Sequence, residues 1–381
     1  MKNLGIIVEY NPFHNGHLYH LKKAKEISLC ENTIAVMSGN FVQRGQNAIV
    51  DKYKRTEMAL NCGVDMVIEL PTYFACQSAE YFAKGSIWTL EESNIISDVV
   101  FGSECGDINI LKKVLMEFNS PDFNKNLRSN LKAGYNFPKA RELSVREKYR
   151  HVLKEPNNIL SIEYLKYINK IKAHTIKRKV ANYHDIDLGE NISSATSIRN
   201  SIHNKNISYS LPKISFEILS NSNFYDYNNL SYILHFILNT YSYEEYLFDI
   251  MDLNFEIYNK LKKAIKTLFY INDIINYSKS KNYTYTRLSR VVNNILLGIK
   301  KNDLNNLKVL PYIRVLGVNK NKIFLLNHLC KSSNVPVVLN LTDVKKLNRY
   351  SSYYFDIELQ ASKIYRILSQ NQYNEQSFII I

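Results

Sequence analysis

The sequence predicts an α/β protein: a parallel, doubly wound sheet in the first half, then a mostly helical second half with a small α/β appendage near its end. Three observations predict it. Over residues 1–110, short apolar runs recur with helix-patterned segments between them, as parallel strands with helical crossovers require. Each run ends in a polar or glycine-containing loop, at 11–17, 38–44 and 102–104, and in such sheets ligands gather at the carboxyl ends of the strands. Beyond about residue 205 the chain becomes rich in Tyr, Leu, Ile and Lys at helical spacing.

The elements follow in order. Ile6, Ile7 and Val8 form a first buried strand, which breaks at Asn11-Pro12 and opens a helix running through Leu18, Leu21, Ala24 and Ile27. Thr33 to Met37 is a second strand, closed by the turn Ser38-Gly39-Asn40. The polar stretch Phe41 to Asp51 leads into a helix carrying Lys54, Arg55, Met58 and Ala59. Asp65 to Leu70 is a third strand, Ser78 to Leu90 a helix, and Asp98 to Phe101 a fourth strand. Residues 111–155 read as a charged helical insertion or cover. Pro156 to Leu160 reads as a turn before a helix from Ile162 to about Ile171. Ala173 to Asn182 is strand-like, and Asn191 to Arg199 is a hydroxyl-rich loop opening a helix. Residues 311–318 and 335–339 are strands of the appendage. The boundary between an N-terminal domain, 1–204, and the C-terminal region, 205–381, falls where the composition changes.

Composition excludes several classes. Hydrophobic residues make 45% and charged ones 22% of the 381, which suits a globular chain rather than a disordered one. No apolar run approaches the roughly 20 residues of a membrane span, and Glu9, Asn11 and His14 interrupt any signal-peptide core. A cytoplasmic protein is expected. The five cysteines have neither C-x-x-C pairing nor zinc-ligand spacing, so no metal ligands are assigned. Net charge is +14, from 27 basic against 22 acidic residues in 1–200 and 22 against 13 in 201–381. An excess of this size suits a polyanion such as RNA.

The chemistry centres on Gly5 to His20, where His14, Gly16 and His17 stand in the order His-x-Gly-His. At the mouth of a helix following the first strand, backbone N–H groups and two imidazoles suit a phosphate. Attack on the α-phosphate of a nucleoside triphosphate builds charge on its non-bridging oxygens, which imidazole donors stabilise. Ser194, Thr196 and Arg199 supply hydroxyls and a cation one helical turn apart, suited to the β and γ phosphates. Together the two sets match the HxGH nucleotidyltransferase superfamily, with a Rossmann-like catalytic domain. There is no K-M-S-K-S segment, which separates the chain from class I aminoacyl-tRNA synthetases.

A closer resemblance rests on EYNPFHNGH at Glu9–His17, MSGNFVQRG at Met37–Gly45, GVDMVIELP at Gly63–Pro71 and FGSECGDI at Phe101–Ile108. PNNIL at Pro156–Leu160, ISSATSIR at Ile192–Arg199 and YTRLSR at Tyr285–Arg290 continue it. In these motifs the chain resembles the tRNA(Met) cytidine acetate ligases. The resemblance implies that acetate and ATP form acetyl-adenylate and pyrophosphate. The exocyclic amine of the wobble cytidine in elongator tRNA(Met) then takes the acetyl group and AMP departs. It implies an ATP site on Ile7, Val8, Glu9, Tyr10, Asn11, Pro12, Phe13, His14, Asn15, Gly16, His17, Leu18, Tyr19, His20, Gly102, Asn157, Arg178 and Lys179. His14 and His17 are the catalytic pair. Magnesium is expected to arrive with ATP, and no obligate protein partner is expected. Asn47 stands where members often have proline, and Ser161 where a glycine commonly follows N-N-I-L.

Arg44 suits either the acetate carboxylate or a tRNA phosphate, or else pairs with Asp51. Arg287 and Arg290, beside Tyr283 and Tyr285, combine charge with stacking surface as RNA contacts do. Two other readings stand beside the ligase: a small-molecule adenylyltransferase of the pantetheine-phosphate or nicotinamide-mononucleotide type, and a non-catalytic RNA-binding protein retaining a nucleotide fold.

Overall fold

The computed structural model describes residues 1–178, 195–202 and 205–381. Its apolar runs become strands because helices cover both faces of the sheet and leave no alternation of polar positions. Among the described residues the strands are β1 (Asn3–Val8), β2 (Asn32–Ser38), β3 (Phe41–Val42), β4 (Gln46–Asn47), β5 (Met66–Leu70), β6 (Asp98–Ser103), β7 (Lys172–Lys177), β8 (Ile313–Val318), β9 (Val337–Val338) and β10 (Ile379–Ile380). The main sheet runs β10-β8-β5-β2-β1-β6-β7, with β9 also on β8, while β3 and β4 form a separate hairpin. From β5 through β7 all pairing is parallel. Crossover helices at Asn15–Ser28, Lys52–Asn61 and Ala79–Glu92 connect the first four of these strands.

Strand order reverses at β1, which has β2 on one side and β6 on the other. The β1–β6 ladder registers only Leu4 with Asp98 and Gly5 with Val99. A crevice at the carboxyl ends of β1 and β6 is the ligand position of such a sheet.

The last strands do not form a sheet of their own. β8 adds antiparallel to β5, with Met66 opposite Val318 and Glu69 opposite Arg314. This edge is sealed by an ionic group in which Lys52, Glu69 and Arg314 are buried and Glu375 nearly so. Lys52 Nζ lies 2.7 Å from Glu69 and 3.2 Å from Glu375, and Arg314 lies 3.2 Å from Glu69 and 2.7 Å from Glu375. Glu358, on the Arg349–Leu368 helix, accepts the Thr72 amide at 2.7 Å. Burial and the neighbouring Glu69 push the Glu358 carboxyl up to about 8. With that proton in place, two cations face two carboxylates.

One stretch differs from the sequence reading, and the charged segment after β6 agrees with it. Pro156–Leu160 is not a turn but the start of the Pro156–Tyr167 helix, which ends ahead of β7. Proline suits a first helical position, and the cap comes from far away: Glu104 accepts the amides of Asn157 at 3.2 Å and Asn158 at 2.8 Å. The charged segment 111–155 forms helices at Ile108–Phe118, Pro121–Lys132, Phe137–Ser144 and Glu147–Arg150. They stand as a lobe that leaves the sheet after β6 and returns at Pro156.

Candidate active site

β1 ends at Val8, and the chain turns through Tyr10, whose φ of 47° lies in the left-handed region. That conformation is uncommon for a residue with a side chain, and burial holds it here. The Tyr10 and Phe13 rings are both buried and lie 4.5 Å apart, anchoring the loop beneath the helix start. His14 is thereby placed as the N-cap of the Asn15–Ser28 helix.

The two imidazoles then cap the helix reciprocally. The Gly16 amide donates to His14 Nδ1 at 3.1 Å, and the His14 amide donates to His17 Nδ1 at 3.3 Å. Their rings stack with centroids 3.7 Å apart, and Tyr10 meets His17 edge-on at 4.9 Å. With each Nδ1 accepting from the backbone, each neutral ring carries its proton on Nε2. The His14 Nε2–H donor thus lies beside a His17 ring that also bonds the Pro12 carbonyl.

Burial, reinforced by nearby cations, keeps them neutral. Burial first, then Arg178 and Arg199, lower His14 to about 4. Burial, with His14, His20 and Arg178, pushes His17 well below the ordinary imidazole range. His20 lies one turn further along the same helical face, lowered to about 4 by burial and Arg178. Its Nε2 is buried without a hydrogen-bond partner. Three imidazoles in the field of two guanidinium groups are ready for an anion.

Arg178 follows β7 and donates its amide to the Ser103 carbonyl at 2.8 Å. Its side chain passes over Gly102, where a Cβ would stand 3.1 Å from Arg178 Cγ. Gly106, at φ 64°, keeps the neighbouring turn against Lys177; a Cβ there would meet the Lys177 Cβ at 2.5 Å. Asn157 donates Nδ2 to Glu104 at 2.6 Å on the β6 side of the crevice. Arg199 reaches back across the chain, donating Nη1 to the Asn11 carbonyl at 2.9 Å and Nη2 to Thr196 Oγ1 at 3.0 Å. The structure therefore gathers Asn11, His14, His17, His20, Gly102, Asn157, Arg178, Thr196 and Arg199 around the loop. Ile7 and Val8 lie within β1, and Asn15, Gly16, Leu18 and Tyr19 in the first turns of the helix. Lys179 and Ser194 lie outside the described residues.

Sequence reasoning passed over two residues that hold the site together. Arg55 is fully buried and donates to the carbonyls of Glu9, Ser38, Gly39 and Val50, tying the ends of β1 and β2 together. Its signal was an arginine at the core-facing positions of a helix. Glu104 fixes Asn157, but only the folded chain brings these residues together. Glu9 accepts the Gln43 amide at 2.7 Å, linking β1 to the β3–β4 hairpin. The two unusual positions also have partners: Asn47 donates to the carbonyls of Ala48 and Tyr225, both at 2.9 Å, and Ser161 donates to the Asn157 carbonyl at 2.7 Å.

Arg44, in the turn between β3 and β4, is exposed. Among the described residues it forms no ion pair, and Asp51 instead caps the Lys52–Asn61 helix. The turn rests on the Tyr285–Leu297 helix so closely that a Cβ on Gly45 would stand 2.4 Å from the Arg290 amide nitrogen. Ser289 donates to the Gly45 carbonyl at 2.8 Å. On that helix Arg287 is held bidentately by Asp252, at 3.0 and 2.7 Å, while Arg290 is half-buried. Among the described residues, no group of three or more His, Cys, Asp or Glu could hold a metal ion.

Known proteins match along the whole chain. The HIGH Nucleotidyl Transferase family matches residues 1–378. The tRNA(Met) cytidine acetate ligase of Clostridium perfringens (strain SM101 / Type A) is 39% identical, over 100% of this chain and 98% of that protein. The tRNA(Met) cytidine acetate ligase of Caldicellulosiruptor saccharolyticus is 40% identical, over 96% and 94%. The crystal structure of Thermotoga maritima TmcAL bound with alpha-thio ATP superposes with a TM-score of 0.91 at 31% identity, covering all of both chains.

Proposed function

The chain belongs to the tRNA(Met) cytidine acetate ligase family of HIGH nucleotidyl transferases, and from that membership we propose how its site works. It is an ATP-dependent ligase that joins acetate to a cytidine of tRNA(Met). In the first step an acetate oxygen attacks the α-phosphorus of ATP. The bond to the bridging oxygen breaks and pyrophosphate leaves. In the second step the exocyclic amine of the wobble cytidine in elongator tRNA(Met) attacks the acetyl carbonyl, loses a proton, and displaces AMP.

His14 and His17 present Nε2–H to the non-bridging α-phosphate oxygens. As neutral donors they stabilise the transition state without acting as nucleophiles. His20 and Arg178 extend this lining along the helix, and Arg199 with Thr196 holds the departing pyrophosphate. Gly102 and Asn157 form the β6 wall, and Lys179 and Ser194 keep their motif assignment to the triphosphate. Magnesium enters with the triphosphate and shields its charge. Arg44, exposed and unpaired among the described residues beside this crevice, receives either the acetate carboxylate or a tRNA phosphate. The enzyme works in the cytoplasm, where its tRNA is, without an obligate protein partner; among the described residues no helix is long and apolar enough to cross a membrane.

The observation that carries this reading is the reciprocal cap, which fixes both imidazoles in the Nε2–H form at a helix N-terminus. The test supplies ATP, radiolabelled acetate and bulk bacterial tRNA and measures acid-precipitable label. Label is expected in tRNA(Met). Folded, ATP-bound protein that leaves tRNA unlabelled would overturn the reading.

A further inference from the structure

The net charge is not spread evenly over the surface. Residues 111–155 hold 11 basic against 5 acidic side chains, so this lobe of 45 residues supplies +6 of the chain's +14. Its acidic residues are partly used internally: Glu117 binds Arg146 and Glu142 binds Lys139. Lys125, Arg128 and Lys132 are different. They stand at i, i+3 and i+7 on one face of the Pro121–Lys132 helix and are exposed. Among the described residues they form no ion pair. With Pro121, Asn124 and Ser129 they form one open face of the helix.

Aromatic surface stands beside the charge. Just past the end of this helix, Tyr135 is 47% and Phe137 54% exposed. Exposed rings next to unpaired cations form a platform for unstacked bases whose phosphates the cations hold. The position is apt as well. The lobe springs from the turn after β6 and ends at Pro156, and Glu104 binds Asn157 across its root. Both ends of the lobe are therefore fixed at the catalytic crevice.

The Tyr285–Leu297 helix offers less. Asp252 neutralises Arg287, and Arg290 is half-buried against the β3–β4 turn. Building on the tRNA reading above, we propose that the 111–155 lobe is the principal RNA-docking surface. Lys125, Arg128 and Lys132 bind the phosphate backbone, and Tyr135 and Phe137 stack on unpaired nucleotides.

The test compares the full-length protein with Lys125→Ala/Arg128→Ala/Lys132→Ala and, separately, Tyr135→Ala/Phe137→Ala. Acetate-dependent ATP–pyrophosphate exchange, which needs no tRNA, reports folding and the first step, and is expected at wild-type rates. Each phosphate contact contributes about 0.7–0.9 to the salt slope. The triple variant should therefore lose about 2 to 3 from that slope, and its KM for tRNA should rise on the order of 100-fold at 0.15 M salt. The aromatic pair should raise KM without changing the slope. Wild-type KM and slope in the triple variant, with the parent enzyme acetylating tRNA normally, would overturn the lobe proposal and leave the function intact. A parent enzyme that exchanges pyrophosphate but never labels tRNA would overturn the substrate reading, and the lobe proposal with it.

Discussion

Two buried places in this molecule gather titratable groups, and they are built on opposite plans. At the β5–β8 edge, Lys52 and Arg314 are enclosed by Glu69, Glu375 and Glu358, each cation within 3.2 Å of a carboxylate. At the catalytic loop, His14 is buried and His17 and His20 are half-buried in the field of Arg178, with Arg199 also acting on His14 and, among the described residues, no carboxylate paired to the rings. Opposite charges in the first place complete each other, so it needs nothing from outside. In the second, among the described residues, the imidazoles and the Arg178 and Arg199 guanidinium groups form no ion pair, and an anion completes it. Burial is common to both; compensation distinguishes the structural cluster from the functional one.

That contrast can be broken at either end. The largest effect is expected from Lys52→Ala, which leaves the buried Glu69 and the nearly buried Glu375 to share Arg314 as their one remaining cation. Denaturant unfolding should show a loss of about 3–5 kcal/mol, while the protein that remains folded keeps its KM for ATP. A loss near zero would mean that the network does not hold the edge together. At the other end, His17→Ala removes an Nε2–H donor. It should slow acetate-dependent pyrophosphate exchange about 10²–10³-fold and cost about 0.5–2 kcal/mol of stability, the worth of a helix cap. Unchanged exchange would show that the stacked imidazoles do not touch the α-phosphate.

Next comes pH. His14 and His20 have folded values of about 4, below their ordinary 6.5. As pH falls, the unfolded chain takes up protons first. The stability these residues contribute is thus fully present above pH 6.5 and lost as pH drops toward 4. For His20 this amounts to on the order of 3 kcal/mol at pH 4, and His20→Gln should flatten that part of the melting profile. A variant with the same acid sensitivity as wild type would show that His20 stays accessible to protons in the fold. The smallest effect is expected from Arg287→Ala. Both members of the Arg287–Asp252 pair are about one-third exposed, so its loss costs at most about 1 kcal/mol. The KM for tRNA should change far less than on removal of the lobe cations, and a larger rise would return the RNA surface to the C-terminal helix.

The catalytic half was legible in the order of its amino acids, because its signals are local. The run ending at Val8, the turn at Ser38-Gly39-Asn40, and the His-x-Gly-His order all act over a few residues. The reciprocal cap between His14 and His17 spans only three. Strand–helix alternation then left few topologies, so the position of the crevice was also legible. The rest depended on contacts between residues far apart in the chain. Glu104 caps a helix 53 residues onward, Arg287 is neutralised from 35 residues away, and Arg314 pairs with Glu69 across the two halves of the chain. β8 joins the first sheet because β5 offers a free edge and its buried carboxylate needs a cation. Charge counted along the sequence pointed to the C-terminal half. Which cations remain unpaired depends on the carboxylates the fold brings beside them, and that is a property of closure rather than of sequence.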